Sequence, residues 1–118
     1  MNSQREIERK YNKLLHDVAT HEFYKIDLTN RVNCYQCKSC GHITKTRDVD
    51  AGVTPFIHRC EKCNGMAYST FYTDIAPDQQ PTEEWYRPTL KQVLKMRNKP
   101  DLLNHILQGG LDYRKVNL

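Results

Sequence analysis

The apolar residues of the first thirty positions, Ile7, Tyr11, Leu14, Leu15 and Val18, recur at intervals of three and four, the spacing that gathers side chains on one face of an α-helix. Ser3, with Glu6 three residues on, forms a capping box ahead of this stripe. Residues 1–30 are therefore predicted to be an amphipathic helix followed by a short extended piece. Such a stripe must be covered. The expected cover is the protein's own sheet; the alternative is a second copy or another partner, which leaves homo-oligomerisation through this helix open. From residue 31 the period shortens to two, with strands predicted near 31–37, 42–46, 55–60 and 66–73. In the first strand Val32, Cys34 and Gln36 share one face, and Asn33, Tyr35 and Cys37 the other. Between the middle strands the stretch TRDVDAGVTP is rich in turn residues and reads as an exposed loop over 47–54.

The last third is polarised. Residues 74–84 carry four acidic side chains, Asp74, Asp78, Glu83 and Glu84, and no Lys or Arg; Pro77 and Pro81 keep the stretch from being helical, so it reads as a connecting loop. Residues 87–99 carry five basic side chains, Arg87, Lys91, Lys95, Arg97 and Lys99, and no acidic ones. Thr89 and Gln92 make a second capping box, opening a helix with Leu90, Val93 and Leu94 inward and Lys91 and Lys95 outward. Pro100 starts another helix, carrying Leu102, Leu103, Ile106 and Leu107, and Gly109-Gly110 ends it, with Leu111 placed to pack back under the glycine cap. The predicted class is α+β: a small antiparallel sheet flanked by an N-terminal amphipathic helix and a C-terminal helical hairpin. The divisions fall at 1–30, 31–75 and 76–118, within one compact domain.

Composition adds the need for a cross-link. With 118 residues, 38% of them hydrophobic, and only three Phe and one Trp, the core is modest; a structural metal would contribute on the order of 10 kcal/mol of apparent binding free energy to folding. All five cysteines, Cys34, Cys37, Cys40, Cys60 and Cys63, fall in the strand-rich stretch. A Cys-x-x-Cys turn points two thiolates at one centre, and two such turns complete a tetrahedron. Cys37 with Cys40 leaves 19 residues before Cys60, whereas Cys34 with Cys37 leaves 22; the first spacing lies within the roughly 15–20 of paired zinc-site turns and the second does not. The ligand set is therefore Cys37, Cys40, Cys60 and Cys63. Gly41 and Gly65 follow the two pairs, where the chain must fold back tightly. The stretches YQCKSCGHI and HRCEKCNGMAYS resemble the two knuckles of the zinc-ribbon family, a resemblance over about 40 residues that implies a zinc-ribbon sheet and no particular activity.

The remaining chemistry-bearing residues change this picture little. Cys34 lies on the face opposite Cys37 and reads as a small buried apolar residue, with a spare ligand and a reactive thiol as alternatives. His42 and His58 flank the knuckles and could replace a cysteine, but four well-spaced thiolates already fill the shell. His16 and His21 read as surface residues. Asp48 and Asp50 lack the neighbours that acid–base or magnesium chemistry needs. Zinc is the expected ion, with iron as the alternative for a four-cysteine site. No nucleophile, base or open metal position is visible, so the chain is expected not to be an enzyme.

No apolar run is long enough to cross a bilayer, and the opening MNSQREIERK has no signal-like apolar core; a cytoplasmic protein with no membrane partner is expected. An odd number of cysteines in a reducing compartment favours metal ligation over disulfides. The net charge of +4 is mild for a nucleic-acid binder. The leading expectation is an interaction module presenting Trp85, Tyr86, the basic 87–99 segment and the 47–54 loop to a host or viral protein. The alternative is direct nucleic-acid binding, with Arg87, Lys91, Lys95, Arg97 and Lys99 on phosphates. A helix-turn-helix reading with Asn104, His105 and Gln108 in a groove is a minor variant. The tail TEEWYRPTLKQVL…LLNHILQGGLDYRK is similar to those of small uncharacterised bacteriophage proteins that pair a zinc ribbon with a helical hairpin. That similarity implies an inhibitor or host-modulating factor acting on a nucleic-acid machine.

Overall fold

The N-terminal stripe folds into α1, Gln4–Thr20, with the Ser3 side chain accepting the Glu6 N–H as its cap. The computed structural model describes residues 3–21, 32–70 and 81–116; the extended piece before residue 31, the end of the fourth strand beyond 70 and the acidic residues Asp74 and Asp78 lie outside them. The other elements are β1 Val32–Cys37, β2 Ile43–Asp48, β3 Ile57–Arg59, β4 Met66–Ser69, β5 Glu83–Tyr86, α2 Leu90–Leu94, α3 Pro100–Leu107 and β6 Asp112–Lys115. The strands form one sheet in the order β3-β4-β1-β2-β5-β6. All neighbours are antiparallel except β2 and β5. The protein is thus α+β, with helices beside a mostly antiparallel sheet.

The stripe on α1 is covered, though by helices rather than by the sheet. Ile7, Tyr11 and Leu14 pack with Val93 of α2 and with Leu103 and Ile106 of α3, and Val18, Leu90, Leu94, Met96, Leu102 and Leu107 fill the margin of this cluster. That covered face is not available to a second copy. Leu15, one step around the helix, is left 43% exposed. The Tyr11 hydroxyl donates to the Pro88 carbonyl at 2.7 Å, fastening α1 to the chain leaving β5.

The sheet has its own core, built from Tyr35, Cys37, Cys60, Ala67, Trp85 and Leu111. Its two edge strands meet: the His58 ring on β3 lies 4.5 Å from that of Tyr113 on β6, and Arg59 Nε donates to the Tyr113 hydroxyl at 2.9 Å. Edge-to-edge contact of this kind requires the sheet to curl on itself. The interior it encloses is unusually polar, with Thr44, Thr46, Asp48, His58 and Glu83 buried beside Trp85. Each of these finds a partner, as buried polar groups must. Trp85 Nε1 donates to Thr46 Oγ1 at 2.9 Å, Thr44 Oγ1 accepts the Glu61 N–H at 3.3 Å, and Asp48 accepts from Asn33 Nδ2 at 3.2 Å. Because the threonines of β2 face inward, Ile43 on the same strand faces outward and is 42% exposed.

Three sequence readings are corrected here. Glu83 and Glu84 belong to β5, not to a connecting loop, and Glu83 is fully buried. A buried carboxylate is tolerable only when paired; His58 Nε2 lies 2.8 Å from Glu83 Oε1, and Arg59 supplies a second contact to Oε2 at 3.4 Å. The 47–54 stretch is not a free loop: Asp48 completes β2, Val53 N donates to the Gly109 carbonyl at 3.0 Å, and Leu111 N donates to the Val53 carbonyl at 2.9 Å. The tail does not end as a hairpin, because α3 is followed by β6, which pairs along the whole of β5.

Of the two capping boxes expected, the first is half made: Ser3 accepts the Glu6 N–H, with no return bond from the Glu6 side chain. Thr89 and Gln92 form a complete capping box on α2. At the end of α3 the Gly110 N–H reaches the His105 carbonyl at 2.8 Å and the Gly109 N–H reaches that of Ile106 at 3.1 Å. With Gly109 at φ +101°, this is the Schellman arrangement. Leu111 is then buried in the sheet core rather than against the helix it follows.

The contrast within α1 is measurable. Ile7→Ala should lower unfolding free energy in urea by about 2–5 kcal/mol, as for a fully buried aliphatic residue, while Leu15→Ala should change it by less than about 0.5 kcal/mol. Equal losses would contradict the packing described.

Candidate metal centre

Two turns of the same build carry the cysteines. Cys37 ends β1 and Cys40 lies three residues on, before β2; Cys60 follows β3 and Cys63 precedes β4. In each turn the first cysteine's carbonyl accepts the N–H four residues on, Gly41 at 3.0 Å and Asn64 at 3.0 Å. Its own N–H reaches the carbonyl five residues on, His42 at 2.8 Å and Gly65 at 2.8 Å. Both turns need a left-handed residue just after the second cysteine. Gly41 takes φ +77°, and in the second turn Asn64, not Gly65, takes φ +65°. Asparagine is among the few non-glycine residues that tolerate this region. Gly65 suits its place for a different reason: a Cβ there would lie 3.2 Å from Cys63 Sγ and 3.2 Å from Ser39 Oγ, a tight fit against the cluster.

The four sulfurs of Cys37, Cys40, Cys60 and Cys63 all lie within 4.8 Å of one another. Across the turns, Cys37 and Cys63 approach to 3.4 Å and Cys40 and Cys60 to 3.7 Å. Sulfurs about 2.3 Å from a tetrahedral ion would be about 3.8 Å apart, so the donor set fits a metal ion. Backbone N–H groups of Ser39, Cys40, Lys62 and Gly65 point at sulfurs at 3.4 Å each. The Cys40 N–H is the main reason the Cys37 thiol is lowered to about 6, and N–H groups from Cys63 and Lys62 also lower that of Cys60. Cys63 is pushed up to about 12: the Gly65 N–H favours its thiolate, but the neighbouring sulfurs of Cys37 and Cys40 outweigh it. The cluster thus favours the thiolates of Cys37 and Cys60 and opposes that of Cys63, an opposition a divalent cation among the sulfurs would remove.

The histidines beside the turns are not ligands. His42 Nε2 lies 2.8 Å from Glu61 Oε1, and the Thr82 hydroxyl donates to the other oxygen of the same carboxylate. Partial burial favours the acid form of Glu61, yet these two hydrogen bonds and the His42 charge hold it below the ordinary carboxylate value. The bridge ties the first turn to the second and both to the approach to β5. Sequence reasoning missed it, although a histidine two residues beyond one ligand and a glutamate one residue beyond another were visible. His58 is held by Glu83. Cys34 is buried on β1 and is not among the clustered ligands; its carbonyl accepts from Thr70 N and Thr70 Oγ1. His16 and His21 are exposed.

The residues expected to meet a partner divide. Trp85 is only 2% exposed, so it is not presented as an aromatic on the outer surface. Tyr86 is half-buried beneath the Arg114 guanidinium, 4.4 Å from its ring centre. Arg87 is also half-buried, its N–H bonded to Asp50 Oδ2 at 2.7 Å and its guanidinium to the Ala51 carbonyl. Lys91, Lys95, Arg97 and Lys99 are exposed. The groove-reading trio is not presented together, because His105 turns back on the Leu111 carbonyl at 3.2 Å, while Asn104 and Gln108 line a crevice against Lys10 and Lys13 of α1. No helix among the described residues is long and apolar enough to cross a membrane.

Fold and site together define an α+β protein with a four-cysteine cluster that could hold a metal ion. No protein-family model, curated protein or solved structure matches the chain.

Removing one ligand should separate the cysteines by role. Cys37→Ser should abolish metal retention, measured by elemental analysis, and lose the cooperative unfolding transition, as chelation should in the wild type. Cys34→Ser should keep full metal content and lose about 1–3 kcal/mol for the buried hydroxyl. Equal metal loss in both variants would overturn the ligand assignment.

Proposed function

We propose that the protein is a non-enzymatic, zinc-stabilised interaction module of zinc-ribbon type that docks on another protein. Zinc is the ion favoured by four soft thiolate donors in a tetrahedral set, and a shell filled by four protein ligands is the structural rather than the catalytic kind. Such a cross-link replaces part of a small core and makes a rigid platform.

The observation that carries the docking role is the apolar outer face beside the metal end. Ile57, Tyr68, Gln36 and Ile43 are successive cross-strand neighbours over β3, β4, β1 and β2. Met66 at 53%, Ile57 at 45% and Ile43 at 42% are exposed on this face, with Gln36 between Tyr68 and Ile43, and Phe56, 58% exposed, directly precedes β3. Single exposed apolar residues are ordinary, but several on one face of a rigid sheet favour an interaction surface. The exposed Lys91, Lys95, Arg97 and Lys99 would steer an acidic protein surface toward it. A target within a nucleic-acid machine, in the manner of a phage-type inhibitor or host-modulating factor, is supported by the tail resemblance alone. The same four cations favour the second reading, direct binding to nucleic acid.

One variant separates the two. Lys91→Glu with Lys95→Glu and Arg97→Glu leaves the buried Val93 untouched. On the docking reading it slows association with a partner that wild-type protein retains after nuclease treatment, with little change in dissociation, as measured by surface plasmon resonance. Loss instead of a DNA or RNA affinity whose salt slope falls by about 0.9 per phosphate contact would establish the second reading and overturn the first.

A further inference from the structure

Where the curled sheet meets the helical hairpin there is a cavity of about 320 Å³, away from the metal centre. Junctions of this kind, and the mouths of curled sheets, are where binding pockets concentrate. Its inner wall is apolar and aromatic: Trp85 and Tyr113 lie with rings 5.7 Å apart, edge to face, and Leu102 of α3 and Leu111 complete it. Its polar lining is acidic, with Asp101 in the first turn of α3 and Asp112 at the start of β6. The Tyr113 N–H bonds Asp112 Oδ1 at 2.9 Å and so fixes that carboxylate. No lysine or arginine is among the described residues lining the cavity. The two histidines in the wall are engaged elsewhere, His58 with Glu83 at 2.8 Å and His105 with the Leu111 carbonyl at 3.2 Å.

We propose that this cavity is a recognition pocket for one basic side chain, a lysine or arginine, presented by a partner protein. Three properties select that occupant. The volume stands at the lower end of ligand-pocket sizes, room for a side chain rather than a cofactor. An apolar wall suits the methylene stem of such a residue, and carboxylates suit its charged head. Aromatic rings beside the head add a further attraction for a cation. The proposal rests on the docking role for the source of the side chain, but the pocket's chemistry stands apart from it. Acidic surfaces of the partner would face the basic helical segment while one of its cations enters here, which gives the complex a fixed orientation.

The test needs no partner. Full-length, zinc-loaded protein is titrated with N-acetyl-lysine methylamide while backbone amide shifts are followed by NMR, with N-acetyl-norleucine methylamide as the uncharged control of similar stem. The expected result is millimolar saturation with shifts centred on Leu102, Leu111, Asp112 and Tyr113, and clearly weaker binding of norleucine. Asp101→Asn with Asp112→Asn should weaken the lysine probe about fivefold to tenfold, at unchanged zinc content and unchanged far-ultraviolet dichroism. No saturable shifts at these residues, equal affinity for both probes, or full lysine affinity in the Asn variant would each overturn the pocket. Absence of any protein partner would overturn the docking role and leave the titration result standing.

Discussion

Four sulfur atoms gathered within 4.8 Å cannot all carry charge unless a cation stands among them. That constraint shapes the rest of the chain. The two turns that bring the cysteines together also bring together the β1–β2 and β3–β4 hairpins, and β1 pairs with β4 between them. A single ion would therefore fasten four of the six strands at one end. From there the His42–Glu61–Thr82 bridge carries the constraint to the approach to β5.

A second clamp, made of side chains alone, joins β3, β5 and β6. Glu83 on β5 reaches across to His58 and Arg59 on β3, and Arg59 reaches Tyr113 on β6. A buried charge set of this type adds little net stability over an apolar equivalent, but removing one member is costly, because it strands the others. Its contribution is specificity: only one curl of the sheet satisfies all four groups. The polar threonines of β2 act alike: Thr44 accepts the Glu61 N–H, and Thr46 accepts from Trp85 Nε1 and donates to the Asn33 carbonyl. An interior satisfied by polar contacts leaves aliphatic residues such as Ile43 for the outer face.

Much of this was legible in the residues. The ligand spacing, Ser3 and Thr89 as caps, Pro100 as a helix start and the Gly109-Gly110 stop all rest on local chemistry, and local chemistry is what a sequence states directly. What was not legible depended on contacts distant in sequence. Glu83 looked solvent-seeking because its side-chain partners lie 24 and 25 residues away. Trp85 looked like a presented aromatic because nothing near it announced β6. The stripe on α1 called for a cover, but not for which cover, and the helices of the tail met that need before the sheet did. Asn64 was overlooked because glycine is the expected left-handed residue, and Gly65 stood one position away.

The docking role and the choice of ion both presuppose that the cysteine cluster is a metal centre. X-ray absorption spectroscopy on the purified protein, at the edge of the metal it retains, addresses this most directly. The expected spectrum is that of one zinc per chain with four sulfur neighbours at about 2.3 Å and no lighter first-shell atom. A first shell containing nitrogen or oxygen, or a folded protein that carries no metal at all, would contradict it.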